Sequence, residues 1–136
     1  MAKKKDIENK NDLRRLVEHF YSSAMSDPII GFFFTQVSPI DLDEHTPKIT
    51  EFWDAVLFGY DPLRDSSQKK VIKNMLHAHM QVDMKAKIQK GHFTRWLYLF
   101  FNSVDELYAG RNAERIKKRA EKMAASMGDA LLKKRS

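Results

Sequence analysis

Five histidines, four tyrosines and two tryptophans, with no cysteine at all, bound the chemistry open to this chain. His79 falls at i+7 from Ile72, with Met75 and Leu76 at i+3 and i+4. It therefore points where the apolar residues of its helix point, and His77 lies about 200° away around that helix. An inward imidazole needs a partner. It can be a core histidine bonded to a backbone carbonyl, or a metal ligand. His45 sits on a second apolar stripe, followed by Ile49, Phe52, Trp53, Val56 and Leu57 at i+4, i+7, i+8, i+11 and i+12. Tyr21 falls in phase with Leu13, Leu16, Val17, Phe20 and Ala24. Its hydroxyl either bonds a nearby carbonyl or is a donor aimed into a pocket. Trp96 belongs to the broad apolar face of Phe93, Leu97, Phe100, Phe101, Val104, Leu107 and Tyr108.

Tyr21, His45, His79 and Trp96 thus come inward from four different helices, and each buried polar tip requires a partner. Together they imply a core that encloses something polar. With no thiols and no inward carboxylate beside the histidines, a metal site of three or four protein ligands is not assembled. No nucleophile–base spacing or carboxylate pair marks a hydrolase. A largely apolar cofactor that takes one axial histidine and keeps an open coordination position fits better, and haem has those properties.

The elements that must position these residues read as an all-α domain. Asn11-Asp12 is the expected cap of the first helix, which Asp27-Pro28 ends. Ile29-Ile30-Gly31 turns the chain into Phe32-Phe33-Phe34. A second helix starts at Asp41 or Asp43, with a late or irregular start because of Pro47, and ends at Phe58-Gly59 with Gly59 as a left-handed cap. Tyr60 to Lys70 reads as a connector, with Asp65-Ser66-Ser67 capping the helix of His79. The stretch from Asp83 to Gly91 is a loop or an extension of that helix. A last helix runs from Ala113 to about Leu132, with Lys117, Lys118, Arg119, Glu121 and Lys122 on its solvated face.

At 136 residues the chain reads as one domain, 1–136. Its net charge of +6 rests on Lys3, Lys4, Lys5, Lys133, Lys134 and Arg135; setting these aside leaves 18 basic against 18 acidic residues. The excess belongs to short basic tails at about 1–5 and 133–136, which argues against a specific nucleic-acid face. No apolar run spans a bilayer, and Met1-Ala2-Lys3-Lys4-Lys5 leads into no apolar stretch, so neither membrane nor secretion is expected.

In the order and spacing of these features, from about Asp6 to Met127, the chain resembles the truncated haemoglobins of the third group. The matching parts are Phe20-Tyr21, the Gly31 to Phe34 turn, His45 followed by Phe52-Trp53, His92-Phe93-Thr94-Arg95-Trp96-Leu97, Val104-Asp105-Glu106 and the Arg119-Ala120 region. The resemblance implies a shortened globin fold, a two-over-two helical sandwich around a haem. It implies haem b, with His79 as the proximal iron ligand and His77 as the rival for that place. Tyr21 and Trp96 become the polar groups around a bound gas, and His45 stands at the distal entrance. Phe34 is the ring packed on the haem face, and Phe52 and Trp53 pack near the distal side. The chain departs from the family between Gly59 and His79: Tyr60-Asp61-Pro62-Leu63-Arg64-Asp65-Ser66-Ser67 and a Lys-rich helix replace a shorter connector. The implied function is binding of dioxygen or a related diatomic ligand, with oxygen, nitric oxide or peroxide chemistry, in a cytoplasmic monomer served by an unidentified reductant. The reading from a different class is a cofactor-free helical interaction domain whose Met and Phe stripes are only core.

Overall fold

The computed structural model describes residues 3–59 and 69–135. The expected connector and its Asp65-Ser66-Ser67 cap lie outside them, and the side chain of Ile72 is likewise not described. Five α-helices, with a π-helical segment at Phe33–Val37, account for the described secondary structure, and these residues contain no strand. The helices are α1 (Lys10–Met25), α2 (Leu42–Phe58), α3 (Lys69–Lys85), α4 (Lys90–Leu107) and α5 (Arg111–Arg135).

The first layer follows from α1. Leu13, Leu16, Val17, Phe20, Tyr21 and Ala24 are all buried, as their spacing predicts. Each large apolar side chain among them stabilises the fold by roughly 1.5–3 kcal/mol. This stripe packs α1 against α2 and against α4, while α5 packs against α4 and α2. The two pairs α1/α2 and α4/α5 make the two-over-two arrangement. Among the described residues α3 packs on α5 and on the π-helical segment.

Several boundaries differ from expectation. The cap of α1 is Asn9, whose side chain accepts from the Asp12 amide at 3.0 Å. Asp12 lies inside the first turn and is buried, where its carboxylate takes the Glu8 amide at 2.8 Å and Lys5 Nζ at 3.0 Å. Asp41 caps α2, and the helix runs from Leu42 straight through Pro47. Pro47 offers no N–H to the Asp43 carbonyl, but both residues are exposed, where water can take that acceptor. Gly59 is not left-handed: its φ is −119°, and its amide donates to the carbonyls of Asp54 and Ala55. The one positive-φ residue described is Gly110, at φ +145° between α4 and α5. The histidine helix does extend, but only to Lys85; Asp83 then takes the Ile88 amide at 2.8 Å, and Ile88 is buried.

The π-helical segment is a feature the phenylalanine run did not predict. It lets Phe33 be buried and Phe34 half-buried while Phe32 stays exposed, which resolves how three adjacent rings are shared out. On α5, Lys118, Glu121 and Lys122 are exposed as expected. Lys117 is not solvated: its side chain is 13% exposed, pairs with Asp105 at 2.7 Å and Glu114 at 3.0 Å, and lies over the Phe101 ring. Arg119 is half-buried as well.

Candidate functional site

On one side of the fold the buried face of α1 meets the start of α2. Tyr21 is 6% exposed, and its hydroxyl lies 2.8 Å from His45 Nε2. The partner of the phenol is therefore an imidazole from the neighbouring helix, and not a backbone carbonyl. Burial pushes the Tyr21 pKa up, so its proton stays on oxygen at any physiological pH. Burial, with a smaller contribution from Lys48, pushes the His45 pKa down, so the half-buried imidazole stays neutral. One proton then bridges the pair. In the tautomer carrying hydrogen on Nδ1, Tyr21 donates to Nε2. In the tautomer carrying it on Nε2, His45 donates to the phenol oxygen and leaves the phenolic O–H free. Phe34 meets the edge of the Tyr21 ring with centroids 5.8 Å apart. Tyr21, His45 and Phe34, drawn from three separate elements, thus form one cluster.

Trp96 joins that cluster through Phe20. Phe20 meets Tyr21 at 5.2 Å and Trp96 at 5.6 Å, both edge-on. The indole stacks on Phe100, 5.1 Å away with planes 9° apart, and is half-buried. Trp53 stacks on Phe100 from α2 at 5.2 Å and is 2% exposed, so it is an aromatic core side chain. Phe52 packs edge-on against Trp53 at 5.1 Å and keeps more of its surface, being half-buried.

His79 stands on α3, apart from these rings. Its Nδ1 is 2.8 Å from the carbonyl oxygen of Met75, one turn earlier, so Nδ1 carries the hydrogen and donates it. That fixes the tautomer and leaves Nε2 with its lone pair, the arrangement an axial imidazole ligand uses. The Phe93 ring lies over it, 6.1 Å away with planes 24° apart. His77 is exposed, and His79 is half-buried, as the helical phase predicts. Sequence reading did not identify Met75 and Phe93 as the groups that hold His79. Met75 was findable, because i−4 is where a helical side chain can bond a carbonyl. Phe93 was not, because its approach is tertiary.

The residues present fit a haem on two counts. One imidazole has Nδ1 tied to a backbone carbonyl and Nε2 open. Several apolar side chains that pack against the core are also only half-covered by protein. Phe34, Phe52, Leu76, Met80, Phe93 and Leu97 all pack against the core, yet none is fully buried. From Lys73 to Lys85 no side chain of α3 is buried, although Met75, Leu76, Met80 and Val82 form an apolar stripe. A flat, mostly apolar group is what such a lining accommodates. Among the described residues no group of three or more His, Asp or Glu converges on a metal position.

No protein-family model matches the sequence, and no curated protein matches it. Among solved structures, the group III truncated hemoglobin from Campylobacter jejuni is similar over 94% of each chain, with a TM-score of 0.70 and 24% sequence identity. The expected all-α, shortened globin architecture is therefore the observed one, and this chain has the fold of a truncated haemoglobin.

Proposed function

We propose that the protein binds haem b through His79 and holds a small diatomic ligand, dioxygen first, beside Tyr21, His45 and Trp96. The observation that carries the reading is that two imidazoles are held in unlike ways. His79 is tied at Nδ1 with Nε2 left open, and His45 is held neutral against a buried phenol. Haem would supply an iron with one protein ligand and one open coordination position. The chain's own residues do the rest. Met75 and Phe93 orient the His79 ring. Phe34, Phe52 and Leu97 offer apolar surface that excludes water. Trp53 supports Phe52 from the core. Tyr21 keeps a proton that it can present to a polar ligand, and His45, in the first turn of α2, controls the approach. The Trp96 indole N–H is the second donor. The same reading makes the protein a cytoplasmic monomer that draws on an unidentified reductant and has no nucleic-acid or membrane partner. Among the described residues, no helix is long and apolar enough to cross a membrane.

The visible absorption spectrum of the purified, haem-reconstituted protein tests this directly. A haem-ligand spectrum in the wild type and in His77→Ala, with stable haem uptake abolished or greatly weakened in His79→Ala, is expected. Retention in His79→Ala with loss in His77→Ala would move the axial role to His77. No haem uptake by any form would leave the cofactor-free interaction domain.

A further inference from the structure

We propose that Asp27 and Arg95 form a latch that sets the position of the Trp96 indole against α1 and, through the same carboxylate, the start of the segment that carries Phe34. Asp27 lies two residues beyond the end of α1, with its side chain 3% exposed. Arg95 reaches it from α4: Nη2 donates to Oδ1 at 2.6 Å, and Nε donates at 3.1 Å to Oδ1 and 3.3 Å to Oδ2. Oδ2 also accepts the amides of Ile29 and Ile30, at 3.0 and 3.1 Å. The carboxylate is thus shared between a guanidinium on α4 and the backbone turn leading into the π-helical segment. That turn has little slack. Gly31 donates its amide to the Asp27 carbonyl at 2.9 Å, and a Cβ at Gly31 would come within 2.7 Å of the Met25 carbonyl oxygen.

Arg95 precedes Trp96 on the same helical turn, so whatever fixes the Arg95 backbone fixes the indole's origin. The indole stacks on Phe100 of its own helix, and its ring contact across to α1 is the edge of Phe20. Trp96 packs against the core and is half-buried. The ion pair, buried on its Asp27 side, joins α4 to the exit of α1 and adds a constraint to that packing. Removing Arg95 would leave the buried Asp27 carboxylate without its counter-charge, so the geometry is enforced from that side. On its outer side the guanidinium lies over the Tyr98 ring at 5.1 Å, which holds the plane of the fork. Arg95 is therefore a positioning residue, acting through Trp96 and not on a ligand itself.

An ordinary structural ion pair would stabilise the fold without any particular effect on the indole, so the test separates the two. The full-length protein would be labelled with nitrogen-15 and the two indole N–H signals assigned by loss in Trp96→Phe. Asp27→Asn keeps an acceptor for the Ile29 and Ile30 amides and removes the charge. Arg95→Met keeps the stem, and Arg95→Lys keeps the charge without the fork. Tyr108→Phe is the control; it deletes the buried bond from the Tyr108 hydroxyl to the Asp12 carbonyl, far along α4. Solvent exchange of the Trp96 indole N–H is expected to quicken about tenfold in Asp27→Asn and in Arg95→Met, and less in Arg95→Lys. The Trp53 signal stays put throughout, and Tyr108→Phe leaves Trp96 unchanged. If Arg95→Met does not fold, Asp27→Asn and Arg95→Lys still decide. An unmoved Trp96 signal, or an equal change in Tyr108→Phe, overturns the latch. Its ligand consequence rests on the haem reading above, so dioxygen dissociation would be measured in the same variants. A displaced indole with unaltered dissociation upholds the latch and removes Trp96 from the ligand site.

Discussion

Tyr21 has one O–H, which lies against His45 and which the proposed function would also offer to a polar ligand. Dioxygen held at such a site is strongly polarised, and carbon monoxide much less so. A hydrogen bond to a charged acceptor contributes about 1.5–3 kcal/mol, and a tenfold change takes about 1.4 kcal/mol. Tyr21→Phe should therefore speed dioxygen dissociation by roughly ten- to a hundred-fold while carbon monoxide dissociation changes far less. Stopped-flow measurement of both off-rates checks this, and equal effects on the two gases would reduce Tyr21 to a core aromatic. His45→Ala should act differently. It removes the phenol's partner and opens the approach, so ligand association should quicken more than dissociation changes, and association rates equal to wild type would end the gating role. What was legible here was direction. Helical phase placed His79 inward, His77 outward and Tyr21 inside. It could not pair Tyr21 with His45, because phase states which way a side chain points on its own helix and is silent on what the next helix brings opposite. The Asp27–Arg95 pair was hidden for the same reason, with Asp27 read only as the residue before a proline.

Elements were legible where a long apolar period ran without interruption, and their ends were not. The stripes of α1, α2 and α4 were all in place, but the first cap moved from Asn11-Asp12 to Asn9, because Asp12 is used from inside the turn by Glu8 and Lys5. Gly59 was misread because glycine marks a helix end without fixing its backbone angle; there, two carbonyls of the last turn take its amide. The π-helical segment has no period of its own to find. Gly110 is the position where glycine is required outright. Its φ is +145°, and an added Cβ would meet Asp6 Cγ at 2.5 Å. Asp6 cannot simply withdraw, since its carboxylate takes the amides of Asn112 and Ala113, both at 2.9 Å, at the start of α5. Gly110→Ala is therefore expected to destabilise the protein by about 1–3 kcal/mol from backbone strain, before the clash is added. Gly91→Ala, with nothing within 4 Å of the added methyl, is the matched control. Thermal midpoints measure both, and an equal shift in the two would remove the special status of Gly110.

The charge of the whole molecule divides differently in three dimensions than along the chain. The excess sits at the two ends of the sequence, where solvated tails are the simple expectation. At the carboxyl end Lys133 and Lys134 are exposed beyond the buried Leu131. The amino end is built into the fold: Lys5 pairs with buried Asp12, its carbonyl accepts the Ala109 amide at 3.0 Å, Lys4 Nζ bonds the Asp105 carbonyl, and Ile7 is fully buried. This segment ties the start of α1 to the turn between α4 and α5, closing the two helix pairs on each other. Deleting residues 2–5 should therefore lower the melting midpoint, with the lost backbone bond alone contributing about 0.5–1.5 kcal/mol. Deleting 133–136 should leave it within the roughly ±0.5 kcal/mol of an ordinary surface change. The pH dependence sharpens the contrast. Burial raises the Asp12 pKa, but the Glu8 amide and Lys5 outweigh it, and the net shift is downward. A carboxyl whose folded pKa lies below its unfolded one contributes stability that is complete above the ordinary carboxylate range and lost as pH falls through the folded value. Removing Lys5 reduces that downward shift. The gap in stability between the full chain and the amino-terminal deletion is thus widest near neutrality and narrows once Asp12 is protonated. Denaturant midpoints at neutral pH and well below the carboxylate range would measure it. Equal losses from the two truncations, or a gap that widened in acid, would show that the amino end is a free tail after all.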